Sequence, residues 1–421
     1  MTSLDAAERP DVPPASRWLD DPVESGPAAG FGVYLHVPFC AHRCGYCDFA
    51  TWDDKAGWMD RYVAAVHDDI ARTVAGGRRV LAPAGADLDD AWPRVTSVFV
   101  GGGTPTLLPP DDLAGLVERV AGELDLAGDA EVTVECNPET ASIALFERLV
   151  AAGVTRVSMG AQSFAPHVLA TLERQHGPER PVEAIAEARA AGIGEVNLDL
   201  IYGTPGERDE DWAETLRRVV AAGTDHVSAY ALTIHDNTPF GVAVRAGAMP
   251  LPDEDVQAER FDVADDVLGA AGFEHYEVSN WARSPARRAA PEAASRSFRS
   301  RHNLLYWRHG DYLAFGVGAH AHVAGRRWWS HRSIPRYVTA IEAGASPVAA
   351  AEELSPVERA EERLMLGLRV REGLHPVDAP PLDPAALADA VGVGLVTTSC
   401  GRLQATDRGW FLLDEAVRRL M

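Results

Sequence analysis

One unit recurs six times along this chain, and it restricts the fold more than any other feature. An apolar, β-branched run of five to seven residues ends in Gly or a polar residue and is followed by an Ala-, Leu- and Arg-rich helical stretch. The runs are Val33–Val37, Thr96–Val100, Glu131–Glu135, Arg156–Met159, Glu195–Ile201 and His226–Leu232. The helical stretches between them are Trp58–Val74, Asp111–Glu123, Ser142–Ala152, Pro181–Ala191 and Asp209–Ala222. Successive strands joined by helices must lie parallel, with right-handed crossovers. The expectation is an α/β fold built on a partial (β/α)6 barrel over residues 31–250. In such folds chemistry sits on the loops after the carboxyl ends of the strands, so those loops are the ones to read for function.

The rest of the 421 residues lacks this rhythm. Residues 1–30 mix Asp, Glu, Pro, Ala and Gly without periodicity and read as a flexible leader. Residues 251–350 read as an extension. It holds a helix near Asp255–Ala270, an extended Glu274–Val278, a Ser/Ala/Pro/Arg tract at Arg283–Arg301 read as a mobile basic loop, the dense segment His302–Trp307 and the run Phe315–His322. Residues 351–421 read as a small α+β C-terminal domain ending in a hairpin at Gly394–Leu413. A formal charge of −23 excludes duplex nucleic acid as the main partner, since phosphate binding needs an excess of Lys and Arg. No run of about 18 apolar residues is present to span a bilayer, and the leader lacks the apolar core of a signal peptide. The expected address is the cytoplasm.

Three of the five cysteines lie in the loop after the first strand, at Cys40, Cys44 and Cys47. Clustered Cys in a long, disulfide-poor chain points to metal or redox chemistry. Three thiolates at this spacing can hold three corners of a [4Fe-4S] cube and leave the fourth iron open; structural zinc and electron-transfer clusters normally use four protein ligands. Zinc with His42 as a fourth ligand is the alternative. After the second strand comes Gly101-Gly102-Gly103-Thr104-Pro105-Thr106, where missing side chains let backbone approach a ligand or simply make a turn. Glu135, Gln162 and Asp199 stand at the ends of later strands, where each also suits a helix cap or a loop hydrogen bond. Cys136 and Cys400 stand alone and read as ordinary buried thiols.

CxxxCxxC with an aromatic directly before its last Cys, followed one unit later by the glycine loop, resembles the radical S-adenosylmethionine (SAM) superfamily. That resemblance implies that the open iron chelates SAM and that one electron from the cluster breaks a sulfur–carbon bond to give a 5′-deoxyadenosyl radical. Tyr34–Cys40, the GGGTPT loop, Gly160–Phe164, Asp199–Pro205 and Tyr230–Leu232 further resemble the oxygen-independent coproporphyrinogen III oxidase family and its heme-chaperone paralogues. Carried over to matching positions, the resemblance implies SAM contacts at Tyr34, Gly102, Glu135 and Ala231. It implies contacts to a second SAM at Tyr46, Gly103, Thr104, Gln162, Arg174 and Asp199. No catalytic side chain is assigned.

Two departures separate the paralogues. The oxidase has a fourth Cys two residues after the third, where this chain has Phe49, and its N-terminal segment is longer. His302-Asn303-Leu304-Leu305-Tyr306-Trp307 matches the HNxxYW motif of the heme-chaperone branch. A neutral imidazole can ligate heme iron, and Tyr and Trp offer flat apolar faces, so His302 is the expected heme ligand, with His320 and His322 as rivals. The resemblance therefore implies a chaperone that binds heme, the cluster and SAM and transfers heme to an unidentified acceptor protein. Its electron donor would be of the flavodoxin or ferredoxin kind. Oxidative decarboxylation of coproporphyrinogen III, or radical chemistry on another substrate, are the alternatives.

Overall fold

The computed structural model describes residues 30–78, 91–283, 297–375, 378–399 and 401–421. The expected leader up to residue 29, most of the expected basic loop, and Cys400 lie outside the described residues. Strands β1 (Phe31–Val37), β2 (Val95–Gly102), β3 (Leu126–Cys136), β4 (Arg156–Gln162), β5 (Glu195–Tyr202) and β6 (His226–Ala231) lie side by side in chain order, every pair parallel. Their near-continuous burial is what a parallel sheet covered on both faces requires, and it explains why they read as apolar runs. The crossovers are α1 (Met59–Gly76), α2 (Pro110–Glu123), α3 (Ile143–Ala151), the pair α4 (Pro166–Thr171) and α5 (Arg180–Ala190), and α6 (Asp209–Ala222). Local signals set their ends. Ser142 Oγ accepts the Leu145 N–H at the start of α3, and Gly223 (φ 73°) closes α6 in the left-handed region.

The sheet does not stop at β6. After α7 (Pro239–Arg245) and α8 (Glu254–Ala270), the hairpin of β7 (Phe273–Glu277) and β8 (Asn280–Arg283) adds to β6 in antiparallel fashion. Helix α9 (Arg301–Trp307) then leads to β9 (Asp311–Phe315), which pairs parallel with the opposite edge strand, β1. Strands β10 (His320–Val323) and β11 (Arg326–Ser330) follow, and β12 (Val348–Glu353) comes after α10 (Ile334–Glu342). One 12-stranded sheet results, in the order β12-β11-β10-β9-β1-β2-β3-β4-β5-β6-β8-β7. The strands of residues 251–350 extend both edges of the barrel sheet, and Ala29–Tyr306 with Gly310–Ser355 form one compact unit.

The second compact unit contains residues 307–309 and 356–421, where a C-terminal domain was expected from 351. It contains α11 (Pro356–Gly367), α12 (Pro384–Gly392), the hairpin of β13 (Val396–Ser399) and β14 (Arg402–Ala405), α13 (Asp407–Trp410) and α14 (Leu413–Leu420). The expected hairpin at Gly394–Leu413 ends early because Thr406 Oγ1 caps α13 through the Gly409 N–H at 2.9 Å. A Cβ at Gly409 would meet the Leu395 carbonyl oxygen at 1.8 Å, which accounts for the glycine in Thr406-Asp407-Arg408-Gly409.

Candidate functional site

The cysteine loop is fixed by backbone at both ends. The Cys40 N–H donates to the Trp52 carbonyl (3.0 Å), and the Trp52 N–H returns to Pro38 (2.8 Å). The Cys47 N–H turns back to the Cys44 carbonyl at 3.1 Å, and the Phe240 N–H holds the Gly45 carbonyl at 3.0 Å. On the other side, the Gly103 and Thr104 N–H groups donate to Val37 and Phe39, each at 2.8 Å, so the glycine loop is stitched directly beneath the cysteines. A Cβ at Gly103 would sit 2.6 Å from the Phe39 oxygen and 3.0 Å from Cys40 Sγ. No larger residue fits between the two loops.

Cys40, Cys44 and Cys47 line one cavity of about 490 Å³ inside the barrel mouth, together with Tyr46, Gly102, Gly103, Thr104, Glu135, Gln162, Arg174, Asp199 and Ala231. Glu135 Oε2 accepts the Gly102 N–H at 2.8 Å and so pins the glycine loop to β3. Burial, opposed by that hydrogen bond, pushes the Glu135 carboxyl up to about 7. Gln162 sits at a register break between β4 and β5 with φ 60°, a left-handed conformation rare for a non-glycine residue and common beside functional sites. Arg174 spans the rim, with Nη2 donating to Asn137 Oδ1 and to the Gly160 carbonyl (both 3.0 Å) and Nη1 standing 3.7 Å from Cys44 Sγ. Asp199 accepts from Ser158 Oγ (3.0 Å) and Asn197 Nδ2 (2.7 Å). The zinc alternative loses its fourth ligand, because His42 Nε2 faces Glu173 Oε2 at 3.6 Å and, among the described residues, no three His, Cys, Asp or Glu side chains are grouped to hold a single metal ion.

Two expected site residues lie elsewhere. Tyr34 is one layer behind the wall; its ring stacks on Phe99, which does line the cavity, and its hydroxyl meets His36 Nδ1 at 2.9 Å. His302 is a core residue, only 1% exposed. Its Nδ1 pairs with Ser97 Oγ (3.0 Å) and its Nε2 with the Tyr306 hydroxyl (2.8 Å), while its ring stacks on Phe99. Burial drives its pKa down to about 3. With both ring nitrogens engaged in the interior, His302 is placed in this structure as a packing residue, away from the cavity wall. The motif's Asn303 is the member that reaches the cavity, held by Nδ2 on Glu277 Oε1 at 3.2 Å. Of the rivals, His322 is buried against the Gly310 carbonyl, and His320 is exposed and stacked on Trp329.

Sequence reading missed the deeper lining: Arg156 and Ser158 on β4, Asn197 on β5, and Ser228 and Tyr230 on β6. The available signal was alternation, since 156, 158, 160 and 162 on one strand and 197, 199 and 201 on the next share a face.

Residues 34–219 match the model of the radical SAM superfamily, and residues 354–412 match that of the HemN C-terminal domain. The heme chaperone HemW of Mycobacterium tuberculosis is 42% identical over 398 residues, covering 94% of this chain and 96% of that protein. The chain belongs to the HemW family of radical SAM proteins. HemW of Escherichia coli is 36% identical over 294 residues, covering 69% of this chain and 70% of that protein. A mouse protein described as radical S-adenosyl methionine domain-containing protein 1, mitochondrial, is 34% identical over 352 residues, covering 81% of this chain and 74% of its own length. The structure of coproporphyrinogen III oxidase (HemN) from Escherichia coli superposes with a TM-score of 0.74 at 20% identity, over 94% of this chain and 91% of that one, and so shares the fold. As a radical SAM protein, a HemW-family member carries a [4Fe-4S] cluster and SAM. The donor set fits that pair: three thiols on one clamped loop, a guanidinium beside one of them to offset thiolate charge, and a side-chain-free loop below.

Proposed function

We propose that this chain is a cytoplasmic heme chaperone that binds heme and passes it to an acceptor protein, with Cys40, Cys44 and Cys47 holding a [4Fe-4S] cluster and SAM bound beside it. The observation that carries the reading is the 42% identity to a protein named heme chaperone HemW along nearly the full length of both chains. When bound, the cluster would supply the single electron that cleaves SAM, drawn from a flavodoxin- or ferredoxin-like donor. The chain's own residues supply the rest. The glycine loop leaves room for the methionine end of SAM, Glu135 holds that loop's backbone, and Arg174 ties the β4 end to the cysteine loop. Gln162, Asp199, Tyr46, Thr104 and Ala231 complete the wall for SAM.

Phe49 supports the chaperone over the decarboxylase. It stands on the cavity rim, 65% exposed, at the position where the oxidase has its fourth Cys. A large exposed apolar group there suits a flat apolar ligand at the mouth and offers no thiol. The test is anaerobic reconstitution with iron, sulfide and SAM, followed by a heme titration and by incubation with coproporphyrinogen III. Heme uptake near one per chain without protoporphyrinogen is expected; turnover to protoporphyrinogen, or heme uptake no greater than that of an unrelated acidic protein, overturns the reading.

A further inference from the structure

On a chain with a net charge of −23, exposed arginines such as Arg61, Arg94, Arg208 and Arg245 are tied to carboxylates. Arg332 and Arg336 break that pattern. Both are exposed, and among the described residues neither side chain has a hydrogen bond or an ion pair. They flank the start of α10, on the outer side of the cysteine loop. A Cβ built at Gly318, in the β9–β10 turn, would meet Ala50 Cβ and Arg332 Cγ, each at 3.3 Å, so the Arg332 stem and the loop's Ala50 pass the same point. The Gly318 N–H donates to the His331 carbonyl at 3.0 Å and fixes the backbone that carries Arg332. The Ala50 carbonyl meets His36 Nε2 at 3.0 Å, and the next residue, Thr51, places Oγ1 3.8 Å from Cys47 Sγ. Only a short piece of loop separates Arg332 from the cysteine thiols.

His320 belongs to the same surface. Burial first, then the Arg332 and Arg327 charges, lower its pKa, which puts both guanidiniums near its ring. The ring stacks on Trp329 with centroids 5.4 Å apart, and among the described residues neither of its nitrogens has a hydrogen-bond partner. The acids of the loop and of β12 are engaged. Asp53 Oδ2 accepts the Arg43 N–H at 3.2 Å, Asp54 pairs with Lys55, Asp48 faces His235 at 3.6 Å, and Glu352 holds Arg327 at 2.8 Å. A cationic and aromatic surface therefore backs the cysteine loop on the side away from the cavity.

We propose that this outer face, centred on Arg332 with Arg336, His320 and Trp329, is where a small acidic electron-carrier protein docks to reduce the cluster. The inference rests on the cluster reading above. The mouth of the barrel is where small ligands enter, so the donor needs another approach to the cysteines. An acidic carrier is repelled by most of a surface carrying −23 and attracted here, so the unpaired arginines set both its orientation and its rate of encounter. Redox encounters of this kind use small interfaces, and a patch of a few side chains is sufficient. In each encounter the carrier is oxidised by one electron and the cluster is reduced by one, with no atom transferred.

The experiment uses the full chain, anaerobically reconstituted, as wild type, Arg332→Glu, Arg332→Lys and Arg336→Glu, with a flavodoxin as the probe. Iron, sulfide and the amount of cluster reduced by dithionite are expected to be equal in all of them. Stopped-flow reduction of wild type by flavodoxin hydroquinone should be fastest at low salt and fall steeply as salt rises. Arg332→Glu should slow it about tenfold at low salt and flatten the salt dependence. Arg336→Glu should do the same to a lesser degree, and Arg332→Lys, which keeps the charge, should stay near wild type. Charge reversal beside the loop also acts on the cluster potential, so a redox titration accompanies the rates; Arg336→Glu, farther along the chain, is expected to slow reduction at an unchanged potential. Calorimetric titration with oxidised flavodoxin, which needs no electron transfer, should give the same order of affinities. A wild-type rate indifferent to salt overturns the proposal even if no variant folds, and so do equal rates in wild type and both Glu variants. Loss of heme affinity in Arg332→Glu with flavodoxin reduction intact assigns the patch to another ligand and overturns it too. A wild type that takes up no iron overturns the cluster reading instead, and the calorimetry then decides the surface.

Discussion

The cysteine loop and helix α9 were both marked by sequence motifs, and the structure uses them in opposite ways. The loop carries its thiols on the wall of an open cavity and is held largely by backbone hydrogen bonds, which leaves the three thiols for a ligand. Helix α9 spends its side chains on the interior. His302 bridges Ser97 and Tyr306, Tyr306 packs edge-on against Tyr312, and the first turn's N–H groups of Arg301 and His302 are received by Glu131 (2.9 and 3.2 Å). Spacing on a loop after a strand end speaks about ligands, since nothing else requires those residue types there. A histidine among aromatics in a short helix is accounted for by packing alone. Substitutions in the first region should therefore cost cofactor and spare stability, and those in the second should do the reverse.

The largest effect separates the two at once. Cys40→Ser, Cys44→Ser or Cys47→Ser should drop iron from about four per chain to near zero, because a cubane held by three ligands does not survive the loss of one. Iron and sulfide analysis after reconstitution checks this, with the thermal midpoint expected to move little. Gly102→Val comes next and blurs the boundary. Its Cβ would meet the His36 ring at 2.6 Å at a φ of 123°, so the substitution acts through the packed floor of the glycine loop and not merely by filling ligand space. We expect a loss of roughly 3 kcal/mol in denaturant unfolding, along with SAM binding weakened more than tenfold.

His302→Ala removes two buried hydrogen-bond partners and a stacked ring, and should cost roughly 2–4 kcal/mol while iron, sulfide and the heme absorbance band of the folded protein persist. Loss of that band in a fully folded variant would restore His302 as a ligand and break the comparison. The pH response is smaller. The folded pKa of His302 lies near 3, below its unfolded value, so the unfolded state takes up the proton first and stability falls as pH drops below about 6.5. Between pH 6.5 and 5 this amounts to roughly 2 kcal/mol for His302, with His36, lowered to about 4 by burial, adding to the slope. His302→Gln should flatten the curve over that window. Phe49→Ala, at an exposed rim position, should change stability by less than about 0.5 kcal/mol and make its difference only in heme affinity.

The barrel strands could be read because parallel strands buried on both faces leave long apolar runs, and the cysteine and glycine loops because their residue types suit no helix or strand. The later strands were harder to read. β12, Val-Ala-Ala-Ala-Glu-Glu, is almost wholly exposed and joins the sheet through its register with β11, a non-local pairing that its own residues do not advertise. The floor of the site was missed for a related reason. Arg156 opens a strand, where a charged residue ordinarily marks an exposed boundary, and only the neighbouring strands reveal that this end points inward. α14, beyond the expected hairpin, went unread because its four charged residues out of eight hide the Leu413, Ala416, Val417, Leu420 stripe.

The pairing of β1 with β9 has a consequence for synthesis. β1 finds β2 within the first hundred or so residues, but its other edge stays open until Asp311–Phe315 has left the ribosome, and the Glu131 carboxylate waits as long for Arg301 and His302. During that interval the nascent barrel presents an unpaired strand carrying Phe31, Val33 and Leu35, the kind of edge to which other chains add. Closure at such sequence separation is slow. Translation rate and holding factors, more than the final stability of the sheet, would then govern how much of this protein reaches the native state.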